Sequence, residues 1–128
     1  MDPILERYHA LEKKVAAYTP NLDTQRLYDA FTFADAEHHG QLRKSGEPYI
    51  IHPLAVADIV ADLGLDTDSV IAALLHDCIE DTPATHEDIA KKFGPTVAEL
   101  VEGVTKLTRM QYVSKEEEQM ENLRKMLM

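Results

Sequence analysis

The sequence holds a single cysteine, Cys78, among 128 residues. An internal disulfide is therefore excluded, and a reducing compartment is the expected setting. Cys78 has no CxxC partner and reads as a small core residue. No stretch approaches the ~20 apolar residues of a membrane-spanning helix. The start, Met1-Asp2-Pro3-Ile4-Leu5-Glu6, lacks the basic and apolar regions of a signal peptide. Both absences point to a cytoplasmic chain without a membrane partner. Basic residues are scarce, 13 against 23 acidic ones, for a formal net charge of −10. Binding nucleic acid by neutralising its backbone calls for the opposite sign. An acidic chain that takes a phosphorylated ligand needs a metal ion or a local basic cluster to do so.

Strand alternation of useful length and internal repeats are also missing. What remains is a helical period in a chain that is 45% hydrophobic and 28% charged. The expectation is one all-α domain over residues 1–128, with enough apolar material for a core. Asp2 caps a first helix with Pro3 at its first position, and Ile4, Tyr8, Leu11 and Val15 mark its inner face. A second helix runs from about Asp23 to His39, with Leu27, Ala30, Phe31 and Ala34 inward and Gly40 ending it. Residues 40–51 read as a loop, with two glycines and a proline. His52-Pro53 opens a third helix whose apolar residues are Leu54, Val56, Ile59 and Val60, and Gly64 closes it. Asp66 or Asp68 caps a fourth helix that reaches the Glu80-Asp81-Thr82-Pro83 stop. Thr85-His86-Glu87-Asp88 resembles a capping box with Asp at the last position. A further helix runs from Pro95 to about Leu107. Ser114 caps a last one, with Met120, Leu123 and Leu127 on its inner face. That helix reaches Met128 with no stop signal, so the chain reads as a piece of something longer, cut inside or just after a helix. The apolar stripe left on it is a candidate surface for self-association.

The chemistry concentrates in His76-Asp77-Cys78-Ile79-Glu80-Asp81, which follows the apolar run Val70-Ile71-Ala72-Ala73-Leu74-Leu75. Buried carboxylates are normally paired, hydrated or metal-bound. His76 and Asp77 side by side can face one cation, through a ring nitrogen and an oxygen. On a continuous helix, Glu80 and Asp81 sit one turn beyond them on the same side, where a general base beside a metal's water belongs. The competing reading is a helix end with solvated charges. His52 is a candidate third ligand or a helix-start residue. Two His and one carboxylate suit manganese, iron or zinc and leave positions for water and substrate. The tight Gly64-Leu65-Asp66 connection makes the third and fourth helices antiparallel neighbours, which brings His52 toward His76 and Asp77. Arg43-Lys44-Ser45 is the basic, hydroxyl-bearing cluster nearest a proposed ligand. It reads equally as an exposed loop or as a site for a base and a phosphate. His9, His38, His39 and His86 are assigned structural roles, with His38 able to support a ligand from behind.

Three blocks in this order, His38 to Pro53, Leu74 to Thr82 and Val101 to Leu107, closely resemble the hydrolase domain of the RelA/SpoT family. The resemblance covers the chain from about residue 20 on, beyond an N-terminal helix over residues 1–19. It implies an HD-type helical bundle, here incomplete, that uses manganese to remove the 3′-pyrophosphate of guanosine tetra- or pentaphosphate (ppGpp or pppGpp). By motif, His52, His76 and Asp77 are metal ligands and Glu80 and Asp81 activate the attacking water. Arg43, Lys44 and Ser45 hold the guanine nucleotide. The family's fourth ligand is an aspartate in a later helix, in a motif resembling Asp-Arg-Leu-His-Asn, and this chain stops before it. The expectation is weak or absent manganese binding, and weak activity, in this chain alone. The parent is expected to be a synthetase/hydrolase of the stringent response. The alternative is a catalytically silent nucleotide-binding module that regulates an attached synthetase.

Overall fold

A computed structural model describes residues 2–42, 45–78, 82 and 84–103 of the chain. Arg43, Lys44, Glu80 and Asp81 lie outside the described residues, as do the helix expected from Ser114 and its Met120, Leu123 and Leu127 stripe. The fold is all-α. Among the described residues the only β feature is an isolated bridge between Leu42 and Pro48. No described helix is long and apolar enough to cross a membrane.

The helices are α1 Pro3–Tyr18, α2 Thr24–Glu37, α3 Ile51–Asp62, α4 Thr67–Leu75 and α5 His86–Phe93. Residues 95–103 are helical as well. Each start except that of α3 is set by a side chain that accepts an otherwise unpaired backbone N–H. Asp2 accepts from Ile4 N at 3.0 Å, Asp23 from Arg26 N at 3.1 Å and Asp66 from Ser69 N at 2.9 Å. Thr85 and Asp88 exchange both bonds of a capping box, so the shorter acid serves where Glu is usual. Of the two candidates before α4, Asp66 is the cap. Asp68 instead takes Arg26 Nη1 at 2.7 Å, and the other guanidinium nitrogen donates to Phe93 O. This one arginine joins α2, α4 and α5.

α4 lies at the centre, with Val70 through Leu75 all buried. A helix apolar on every side has nowhere else to go. It packs chiefly on α3 and α2, and α1 covers α3. Lys14 Nζ reaches Asp58 and Asp62, each at 2.7 Å, and Tyr18 donates to Leu65 O, which fastens α1 along α3. The inner faces of α1 and α2 match the period read from the sequence. That of α3 does not. Its buried residues are Pro53, Leu54, Ala57 and Ala61, while Val56 and Val60 are half-buried and Ile59 is 61% exposed. Apolar residues surround this helix, so hydrophobicity alone does not choose a face. Small side chains such as those of Ala57 and Ala61 take little room where α3 packs on its neighbours.

α4 also ends earlier than its sequence pattern implies. The regular helix stops at Leu75, and His76 and Asp77 occupy a turn. The premise of an unbroken helix from His76 to Asp81 is therefore corrected. Between α3 and α4, Gly64 adopts a φ of 71°, which favours glycine and reverses the chain within a few residues. The start of α3 consequently stands beside the end of α4.

Candidate metal centre

His76 is placed by the way α4 terminates. Its Nδ1 lies 2.6 Å from Ala73 O. A carbonyl only accepts, so Nδ1 carries the proton and the side chain satisfies one of the helix's last carbonyls. That leaves Nε2 as the nitrogen through which the ring could bind a metal. Asp77 follows with Oδ1 at 3.2 Å from His76 Nε2. His52, in the first turn of α3, brings its Nε2 to 3.3 Å from Asp77 Oδ2. The two imidazole rings stand 5.6 Å apart.

One ligand atom from each of His52, His76 and Asp77 lies within 4.8 Å of the others. Metal–ligand bonds of about 2.1 Å place adjacent ligand atoms about 3 Å apart, close to the spacings found here. The donor set has a further property. His76 Nε2 faces an Asp77 carboxylate oxygen at 3.2 Å, so a cation between them would meet a nitrogen and an oxygen donor at once. Nitrogen and oxygen donors in this proportion suit a first-row divalent ion. The residues thus fit a metal. His76 and Asp77 are 11% and 14% exposed and His52 34%, so the centre opens to solvent on the His52 side.

Behind the centre lies Tyr49, which sequence reasoning missed, backed by His38, which the sequence marks as able to support a ligand. Tyr49 donates its hydroxyl to Asp77 Oδ2 at 3.0 Å. Its ring stacks on His38, with centroids 4.5 Å apart. His38 is buried, its Nδ1 at 3.2 Å from Gln41 Oε1 and its Nε2 at 3.8 Å from Cys78 Sγ. Cys78 is fully buried, as a core residue should be. The signal for Tyr49 was its position three residues before a candidate ligand. Nothing in the period of the sequence showed where its ring would point.

Ser45 is exposed in the turn before Gly46. Of the other residues expected at the site, Arg43, Lys44, Glu80 and Asp81 are outside the described set. His39 is exposed at the end of α2. His9 pairs loosely with Glu12 at 3.9 Å, and His86 approaches Glu102 at 3.5 Å, each apart from the centre.

A His-Asp doublet at the end of a buried helix, joined by a histidine from the neighbouring helix, defines a class. Residues 30–128 match the HD domain family, and the chain belongs to it. It is 50% identical, over 94% of its length, to the bifunctional (p)ppGpp synthase/hydrolase SpoT of Escherichia coli. Over 71% of its length it is 56% identical to the guanosine-3′,5′-bis(diphosphate) 3′-pyrophosphohydrolase of Haemophilus influenzae. Over 95% it is 46% identical to the GTP pyrophosphokinase rsh of Brucella melitensis. The chain spans 17%, 13% and 16% of the lengths of these three proteins.

Proposed function

We propose that the chain is a metal-dependent pyrophosphohydrolase domain acting on the 3′-pyrophosphate of ppGpp or pppGpp, in the cytoplasm, with manganese as the ion. The observation that carries this reading is the meeting of His52, His76 and Asp77 ligand atoms within 4.8 Å. The names of the relatives supply the substrate class. A divalent cation in such a centre offsets phosphate charge and makes water more acidic.

The rest of the chemistry falls to the chain. Hydrolysis adds water across the bond between the ribose 3′ oxygen and its phosphorus. One proton must leave the water, and one must reach the departing oxygen. Glu80 and Asp81, just past the ligand doublet in sequence, accept the first. His52, His76 and Asp77 hold the cation against which the pyrophosphate is oriented. Arg43 and Lys44 compensate phosphate charge or stack on the base, and Ser45 adds a hydroxyl. A chain with a net charge of −10 needs such local positive charge to hold a polyanion.

The test is manganese-dependent release of pyrophosphate from ppGpp by the full-length protein. Turnover that chelation removes and manganese restores is the expected result. Nucleotide binding without turnover at any metal concentration sinks the reading and favours a silent regulatory module.

A further inference from the structure

We propose that Tyr49 is a positioning residue for the metal centre. Its hydroxyl fixes the Asp77 carboxylate and ties the loop between α2 and α3 to the ligand cluster. This inference rests on the reading of His52, His76 and Asp77 as metal ligands.

Among the described residues, three groups can orient Asp77: His76 Nε2 at 3.2 Å, His52 Nε2 at 3.3 Å and the Tyr49 hydroxyl at 3.0 Å. When both imidazole nitrogens give their lone pairs to a cation, neither can donate to the carboxylate. The phenol can, and it keeps Oδ2 engaged. It is also a donor without charge at neutral pH, so it orients an anionic ligand without repelling the cation. A lysine or arginine in that place would compete with the metal.

The ring that carries this hydroxyl is held on several sides. It stacks on buried His38 at 26° between planes and meets His52 edge-on with centroids 6.0 Å apart. The Tyr49 backbone N–H donates to Gln41 O at 3.1 Å, and the Gln41 side chain reaches His38. Gln41 and Tyr49 thereby close the stem of the loop, beside the Leu42–Pro48 bridge. The tip, which carries Ser45, turns at Gly46 with a φ of 88°. Outer partners of metal ligands commonly affect affinity by about 10–100-fold. Tyr49 meets the geometric requirement for one.

The test compares wild type, Tyr49→Phe and Tyr49→Leu as full-length proteins. Phe keeps the stacked ring and loses only the hydroxyl, whereas Leu loses both. Manganese affinity is measured by calorimetry, and coordination geometry by the visible spectrum of the cobalt-loaded protein. The thermal midpoint is taken on the metal-free form. Tyr49→Phe is expected to bind manganese about tenfold more weakly. It should alter the cobalt spectrum and leave the metal-free midpoint where it was. Wild-type affinity and spectrum in Tyr49→Phe, with loss only in Tyr49→Leu, assign the effect to ring packing and overturn the proposal. A metal-free midpoint that falls in Tyr49→Phe along with affinity overturns it too. If the wild type takes up no divalent cation, the metal reading itself fails and the role of Tyr49 falls with it.

Discussion

At the scale of single residues, the proposed mechanism separates holding a cation from moving a proton. His76 and Asp77, with donor atoms 3.2 Å apart, are proposed for the first task. His76→Ala and Asp77→Ala are each expected to abolish both manganese binding and ppGpp hydrolysis, as read by calorimetry and pyrophosphate release. Glu80 is proposed for the second task. Glu80→Gln keeps size and polarity but cannot accept the proton. It should retain metal and lose turnover by roughly 10²–10⁴-fold, the range of general acid–base catalysis. If Glu80→Gln instead lost metal while each bound ion turned over normally, the two roles would have to be exchanged.

At the scale of elements, the loop before α3 and the cap of α4 make separate claims. Arg43 and Lys44 precede His52 by nine and eight residues in the sequence, and on the proposed reading they hold the nucleotide. Contacts of that kind act equally on bound substrate and transition state. Arg43→Ala and Lys44→Ala should therefore raise KM more than they lower kcat. Unchanged KM for ppGpp in both variants would return the loop to an ordinary exposed turn. The cap is a stability device. The Ser69 side chain and backbone N–H bond to Asp66 and hold its carboxyl below the usual carboxylate range. The lowered folded-state pKa means that this contribution is present above the unfolded value of about 4 and fades as the pH falls through the folded one. Asp66→Ala is expected to cost about 1 kcal/mol near neutral pH. The gap between variant and wild type should shrink in acid, as measured by urea unfolding across pH.

At the scale of the whole molecule, the proposed metal would link binding to the fold. The proposed ligands come from α3 and from the turn after α4, so an ion held by them would also hold those segments together. An ion that binds the folded form alone would, at about 100 times its Kd, add about 2.7 kcal/mol of stability. Chelation is expected to lower the thermal midpoint by several degrees in the wild type and not at all in His76→Ala. An equal drop in both would mean that the stabilising ion sits elsewhere.

Much of the fold was legible in the sequence because the relevant forces are local. A cap needs only an oxygen two or three residues before an N–H, so Asp2 and Thr85 could be placed without tertiary information, and the second helix could be started near Asp23. The inner residues of α1 and α2 follow a 3.6-residue period that polar neighbours leave unambiguous. The His76-Asp77 doublet stood out because nothing in an apolar helix requires it. Other features depended on elements distant in the chain. α3 is apolar on too many sides for its sequence to choose a face, and tertiary packing placed Ala57 and Ala61 inward and Ile59 outward. The choice between Asp66 and Asp68 was settled by Arg26, which draws Asp68 away. α4 stopped at Leu75, where the pattern allowed it to continue, with the His76 side chain on a carbonyl of the last turn. Tyr49 and Asp77 are 28 residues apart, and no period or spacing joins them. The sequence by itself determined which segments are helical, where most of them begin and which residues are chemically able to bind a metal. The short connection between α3 and α4 also pointed to the meeting of His52 with His76 and Asp77, but only tertiary packing decided how closely their donor atoms stand and what lies behind them, because those contacts form between chain segments whose separation local preferences do not encode.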